Sequence, residues 1–215
     1  MKLAHELVIF DCDGVLIDSE PIANRVFSEQ LALSGLQLPL EEVMRRFVGR
    51  TRKGCIDHAT ELLGRPLPDS FGARWDAALF GALARDAKAM EGVTELLRDL
   101  KLPYCVASNS GPERMRISLQ ASGLLPFFEG RMFSAAEVIN PKPAPDLFLH
   151  AAGTMKTDPA QCVVIEDTPT GVQAAVAAGM KVLGYSNGVP AQAEKLRSAG
   201  AIPFDSMRQV AEVLA

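Results

Sequence analysis

The feature that most constrains this chain is an alternation, from about residue 91 onward, of short unbroken apolar runs with helical stripes. Tyr104–Ala107, Cys162–Ile165 and Lys181–Tyr185 are runs of this kind, and Leu7–Phe10 is another near the N-terminus. A strand with one wet face alternates apolar and polar residues. A run without alternation has both faces covered, as in a parallel sheet packed between helices. Between the runs, Val93, Leu96, Leu97 and Leu100 share one helical face, as do Leu147, Phe148, Ala151, Ala152 and Met155. Pro112 suits the first turn of a further helix and Gly123 its end. The pattern predicts an α/β fold with a doubly wound parallel sheet.

Residues 20 to 90 carry a different pattern. Ile22, Val26, Phe27 and Leu31 form one helical stripe, and Leu40, Val43, Met44 and Phe47 a second. Ile56, Ala59, Leu62 and Leu63 form a third; Phe71, Trp75, Ala78, Leu79 and Leu83 form a fourth, with Asp69 or Ser70 as its N-cap. Phe71 and Trp75 fit the buried side of that last stripe. No strand signal interrupts the four. The expected organisation is a core of residues 1–17 and 90–215, with a four-helix insert over 18–89. Internal repeats and low-complexity segments are absent.

With 215 residues, 48% of them hydrophobic, the chain can bury a sizeable core. A net charge of −4 gives no support for nucleic acid or an anionic membrane as partner. It does not exclude a small anionic substrate, which responds to local charge. Cys12, Cys55, Cys105 and Cys162 show no CxxC or pairing pattern, which fits a reducing compartment and a packing role. The opening segment MKLAHELVIFDCDG reaches acidic residues too soon for a signal peptide. No run approaches the ~18 apolar residues of a membrane helix. The expected location is the cytoplasm. Nothing in the sequence fixes the oligomeric state, with a monomer slightly favoured.

Four segments carry candidate chemistry. The first strand ends in Asp11-Cys12-Asp13-Gly14, and ligands of doubly wound sheets bind beyond such strand tips. Asp11 there suits nucleophilic attack on phosphorus. Asp13 suits proton transfer to a leaving oxygen and from the hydrolytic water. Alone, the segment also reads as a polar strand end feeding a turn. Ser108-Asn109 follows the second strand and precedes the Pro112 helix, where hydroxyl, amide and backbone N–H groups can grip phosphate or simply cap the helix. Lys142 lies between Pro141 and Pro143, a stiffened cation able to offset charge on Asp11 and a phosphate, or a solvated surface lysine. Glu166-Asp167 ends the third run and precedes Thr168-Pro169-Thr170-Gly171. Adjacent acids at a strand tip suit a hard cation such as Mg²⁺, or the dipole of a helix start.

Taken together, these segments resemble the motifs of the haloacid dehalogenase-like hydrolases. Asp11-Cys12-Asp13-Gly14-Val15-Leu16-Ile17-Asp18-Ser19-Glu20 is similar to the family's first motif and Ser108-Asn109 to its second. Lys142-Pro143-Ala144-Pro145-Asp146 is similar to the third and Glu166-Asp167-Thr168 to the fourth. The order and spacing match along nearly the whole chain. The subgroup resembled is that of β-phosphoglucomutase-like proteins and 6-phosphogluconate or phosphoglycolate phosphatases. The resemblance implies a Rossmann-like core with a helical cap inserted after the first strand. It also implies a Mg²⁺ ion held by the Asp11 carboxylate, the Asp13 carbonyl and Asp167, with Glu166 at or near it.

Relatives that cleave carbon–halogen bonds lack the second acid, present here as Asp13. Mutases of the family carry a cap histidine where this chain has Ala23, and a lysine in the later cap helix, where Phe71–Ala84 has only Arg74 as a cation. The leading expectation is therefore a phosphatase working through an aspartyl phosphate on a sugar phosphate or phosphorylated sugar acid. A phosphosugar mutase is the alternative within the family. A non-catalytic phosphate-binding or receiver-like module is the alternative outside it. Gly49-Arg50-Thr51-Arg52 resembles the cap loop that contacts substrate in relatives. There Arg52 is either a carboxylate or phosphate clamp or a solvated helix-start arginine. His5, His58 and His150 share no metal or triad spacing, and Cys12 is expected to point back into the sheet.

Overall fold

The computed structural model describes residues 5–48 and 50–214, and side chains as far as Val210. Gly49 of the cap-loop segment lies outside the described residues. In chain order the elements are β1 (Leu7–Phe10), α1 (Glu20–Leu33), α2 (Leu40–Phe47), α3 (Arg52–Leu63), α4 (Phe71–Asp86), α5 (Val93–Asp99) and β2 (Tyr104–Ser108). There follow α6 (Pro112–Ala121), α7 (Leu125–Phe128), β3 (Met132–Ser134), α8 (Asp146–Thr154), β4 (Cys162–Glu166) and α9 (Pro169–Ala177). β5 (Lys181–Tyr185), α10 (Pro190–Ala199), β6 (Ile202–Phe204) and α11 (Met207–Leu214) complete the chain.

All six strands are parallel in one sheet ordered β3-β2-β1-β4-β5-β6. Every residue of β1, β2 and β4 is buried, which is why their sequences do not alternate. Two strands escape the sequence pattern. β3 and β6 have three residues each, too few to read as runs, and both lie at sheet edges. β6 carries Pro203 and a half-exposed Ile202, features an edge tolerates because no outer neighbour needs the missing N–H.

The register sets the strand tips level. Phe10 pairs with Val106 on one side and Ile165 on the other, and Ser108 pairs with Ser134. Asp11, Ser108, Ser134 and Glu166 therefore emerge together at the carboxyl edge. Chain direction across the sheet reverses at β1, whose neighbours are β2 and β4, and ligands bind at such a switch point.

The chain divides into two compact units. The larger combines the residues up to Asp18 with those from Lys88 onward, and the smaller is Ser19–Ala87. Within the larger unit the outgoing and returning segments run antiparallel. Asp18 N–H donates to Lys88 O at 3.0 Å, and Met90 N–H to Leu16 O at 2.9 Å. The smaller unit consists of α1–α4 around its own apolar cluster, in which Phe27, Phe47 and Phe71 are buried and Trp75 packs alongside. The centroids of Phe27 and Trp75 lie 4.5 Å apart, and those of Phe27 and Phe47 5.1 Å apart in an edge-to-face pair. Ser70 is the N-cap of α4 but makes no side-chain cap bond, because its own backbone is already helical (φ −73°, ψ −7°). All four cysteines are buried and free. Among the described residues no helix is long and apolar enough to cross a membrane.

Candidate active site

Lys142 organises the tips of β1, β2 and β4. Its Nζ donates to Asp11 Oδ1 at 2.6 Å, to Glu166 Oε1 at 2.8 Å and to Ala107 O at 2.9 Å. Three bonds satisfy all three ammonium protons, and the side chain lies over the Phe148 ring with Nζ 4.5 Å from its centroid. Only 6% of Lys142 is exposed, so the solvated-lysine reading fails. Burial disfavours the charged amine, yet the two carboxylates more than offset it and hold the Lys142 pKa above the ordinary lysine value.

The same burial acts on Asp11 in the opposite sense. Desolvation pushes its carboxyl up to about 7; Lys142 opposes this, while Glu166 and Asp13 add to it. Two acids share one buried ammonium, which leaves local negative charge unbalanced and suits a further cation.

Glu166 is the other anchor of Lys142. Its Oε2 accepts from the Thr168 N–H at 2.8 Å and the Thr168 hydroxyl at 2.9 Å. Thr168 in turn caps α9 by accepting from Gly171 N–H. The glutamate lies so flat against this helix start that a Cβ on Gly171 would stand 1.7 Å from Oε1. Three donors thus fix the orientation of Glu166, and Oε1, which accepts from Lys142 alone among these bonds, keeps a lone pair for a further ligand.

The Asn109 side chain, read from the sequence as a phosphate ligand, also bonds the backbone of Lys142 and keeps one amide N–H beyond those bonds. Its Oδ1 accepts from Lys142 N–H at 3.1 Å, and its Nδ2 donates to Lys142 O at 3.2 Å. It mimics a peptide partner and fixes the lysine loop to the tip of β2. Ser108 is buried; its Oγ accepts from Ser110 N–H at 3.1 Å, which leaves the hydroxyl proton to donate.

Asp13 is held by two groups that the motif reading did not include. Ser110 Oγ donates to its Oδ2 at 2.5 Å, and Arg114 Nη2 donates to its Oδ1 at 2.9 Å. Nothing in the spacing of Ser110 or Arg114 marked them, because their contact with Asp13 spans about a hundred residues. Asp167 comes to the same loop from the other side: a Cβ on Gly14, where φ is +83°, would lie 2.0 Å from Asp167 Oδ2. Only glycine combines that backbone with that approach. Gly14 thus forms a notch into which the Asp167 carboxylate settles beside the first motif.

This donor set fits a magnesium ion. Asp11, Asp13 and Asp167 supply hard oxygens from neighbouring tips. Among the described residues no cluster of three or more Asp, Glu, His or Cys side chains stands ready as a metal centre. Mg²⁺ does not need one, since it is commonly held by one or two carboxylates with water and phosphate oxygens completing the shell.

A family model described as haloacid dehalogenase-like hydrolase matches residues 5–179, which include all four motifs. The chain belongs to that family. Among curated relatives, the 6-phosphogluconate phosphatase of Escherichia coli (strain K12) is 34% identical over 182 residues, covering 82% of this chain and 80% of that protein. A crystal structure of a conserved haloacid dehalogenase-like protein of unknown function from Agrobacterium tumefaciens str. C58 is 36% identical. It superimposes with a TM-score of 0.85 over 98% of this chain and 97% of that one. A haloacid dehalogenase family hydrolase from Deinococcus radiodurans R1, solved with bound phosphate and sodium, is 31% identical with a TM-score of 0.81, over 98% and 97% of the two chains. For this haloacid dehalogenase-like hydrolase the likeness covers both units, the smaller one included.

Arg52 belongs to the smaller unit, opens α3 and has a side chain 47% exposed. Its guanidinium pairs with both carboxylate oxygens of Asp76, donates to Gly72 O at 2.9 Å and stacks over Trp75 at 5.0 Å. These contacts fix the planar fork in one orientation.

Proposed function

We propose that this haloacid dehalogenase-like phosphatase hydrolyses a small phosphorylated metabolite, a sugar phosphate or phosphorylated sugar acid, through an aspartyl phosphate. The observation that carries the reading is the buried contact of Lys142 with Asp11 and Glu166 at the strand tips, with Asp13 two residues beyond the nucleophile. The name of the E. coli relative supports the substrate class.

Asp11 attacks phosphorus, and the bond to the leaving oxygen breaks as Asp13 gives that oxygen a proton. Asp13 then takes a proton from water, whose oxygen attacks phosphorus and releases Asp11 as carboxylate. Lys142 keeps Asp11 oriented and offsets charge on the transferring group. The Ser108 hydroxyl and the N–H groups of the loop after β2 receive the phosphate oxygens, with Asn109 holding that loop to the lysine. A Mg²⁺ ion held by Asp11, the Asp13 carbonyl and Asp167, with Glu166 beside it, would neutralise charge on the transferring phosphoryl group.

The test is hydrolysis of p-nitrophenyl phosphate, then a panel of sugar phosphates, sugar-acid phosphates, phosphoglycolate and β-glucose 1-phosphate ranked by kcat/KM. Activity is expected to vanish on chelation with EDTA and return with Mg²⁺. Ca²⁺ is expected not to replace it, because its longer bonds and looser geometry misplace the phosphate. Full activity after exhaustive chelation would exclude the metal, and product isomerisation without phosphate release would favour the mutase.

In the same reading Arg52 recognises the part of the substrate remote from phosphorus. Arg52→Ala is expected to lower kcat/KM on the best natural substrate by roughly 10- to 150-fold, the equivalent of ~1.5–3 kcal/mol for a charge-assisted contact. The loss on p-nitrophenyl phosphate is expected to be much smaller. Equal losses on both would assign Arg52 to the packing of the smaller unit through Asp76 and Trp75.

A further inference from the structure

We infer that Ser110 and Arg114 clamp Asp13 and are positioning residues for its proton transfers, an inference that rests on the phosphatase reading above. Each donor takes a different oxygen of the carboxylate, Arg114 Oδ1 and Ser110 Oδ2. Rotation of the carboxylate breaks at least one bond, so the pair selects one orientation.

Both donors are themselves fixed. Ser110 N–H is held by Ser108 Oγ, and Ser110 O accepts from the Ser134 hydroxyl at 2.8 Å. Ser134 is fully buried at the tip of β3 and forms a capping box with Glu137. The chain of contacts thus runs from an edge strand through the loop after β2 to the acid–base residue. Arg114 stands in the first turn of α6, where the helix dipole disfavours a cation. The pairing with Asp13 offsets that cost. The two side chains of the pair are 26% and 23% exposed, so solvent screens the contact only in part and it can hold Asp13 in place.

The chemistry separates a positioning role from a structural one. An alkyl phosphate expels an alkoxide, which needs a proton from Asp13 as its bond to phosphorus breaks. 2,4-Dinitrophenyl phosphate expels a stable phenolate that needs none. The parameter kcat/KM reports the steps through that first bond cleavage and is blind to the later deprotonation of water. A misaligned Asp13 therefore penalises the alkyl ester selectively.

The experiment measures kcat/KM on the best alkyl phosphate of the panel and on 2,4-dinitrophenyl phosphate. The variants are Asp13→Asn, Arg114→Ala, Arg114→Lys, Ser110→Ala and the double variant Asp13→Asn with Arg114→Ala. Asp13→Asn is expected to lose roughly 10²- to 10⁴-fold on the alkyl ester, the usual range for general acid catalysis, and far less on the dinitrophenyl ester. Arg114→Ala is expected to lose about 10-fold or more on the alkyl ester with a several-fold smaller loss on the other, and Arg114→Lys to recover part of it. Ser110→Ala is expected to follow Arg114→Ala with a smaller loss. In the Asp13→Asn background, Arg114→Ala should cost nothing further, because the group it positions is gone. Equal losses on both esters, additive losses in the double variant, or a gain in activity on Arg114→Ala would overturn the clamp. If Asp13→Asn itself struck both esters alike, the acid–base reading would fall and the clamp with it. If Asp13→Asn discriminated and Arg114→Ala did not, the clamp alone would fail.

Discussion

Asp11→Asn is expected to cut kcat at least ~1,000-fold, about 4 kcal/mol in the barrier, while leaving the fold intact. The amide is nearly isosteric with the carboxylate but is a far poorer nucleophile toward phosphorus. The prediction about stability follows from the charge count at the strand tips. Asp11 and Glu166 share a single buried ammonium, and burial already raises the Asp11 pKa. Removing one negative charge leaves a one-to-one Lys142–Glu166 pair, so the melting temperature measured in EDTA should stay level or rise. In parallel, trapping with beryllofluoride should place the adduct on Asp11 in the wild type and give none in the variant. A variant retaining more than a tenth of wild-type kcat would remove the covalent mechanism.

Lys142→Ala is expected to have the opposite profile, losing both turnover and stability. It deletes the only ammonium between Asp11 and Glu166 among the described residues and leaves two facing buried carboxylates. Breaking a buried ion pair by removing one partner costs about 3–5 kcal/mol. For a chain of this size that is on the order of 10 °C in melting temperature. The Ala107 carbonyl also loses its donor. Thermal unfolding in EDTA, compared across wild type, Asp11→Asn and Lys142→Ala, checks the contrast directly. The double variant Asp11→Asn with Lys142→Ala should be more stable than Lys142→Ala alone, because one of the two stranded charges has gone. A Lys142→Ala protein as stable as the wild type would show that the carboxylates relax into water and that Lys142 does not hold the site together.

These two residues lie 131 positions apart, yet each was legible as a candidate because its local pattern carried a chemical meaning. Asp11 ends a continuous apolar run, and Lys142 stands between two prolines. The central strands were legible for the same reason. A strand covered on both faces is apolar along its buried middle, and β1, β2, β4 and β5 each keep that record, with polar residues only at an end, as Ser108, Glu166 and Lys181. The helices of the smaller unit were legible because each contributes part of its stripe to a shared cluster, although Leu40, Met44 and Leu62 of those stripes are exposed.

Long-range geometry was not legible. β3 and β6 are too short to carry a period, and pairing at the sheet edges makes them strands. Asn109 reads as a ligand in its own segment, and only the folded chain shows its amide turned to the Lys142 backbone. Ser110 and Arg114 read as ordinary helix-start residues, and only parallel pairing of β1 with β2 brings them to Asp13. The sequence by itself determined the sheet class, the central strands and which side chains have the chemistry for phosphoryl transfer, since hydrophobic period and functional group are local properties. The tertiary structure decided which of those groups meet, which are spent on one another and which carry unbalanced charge, because contacts and desolvation exist only once distant segments share one buried edge.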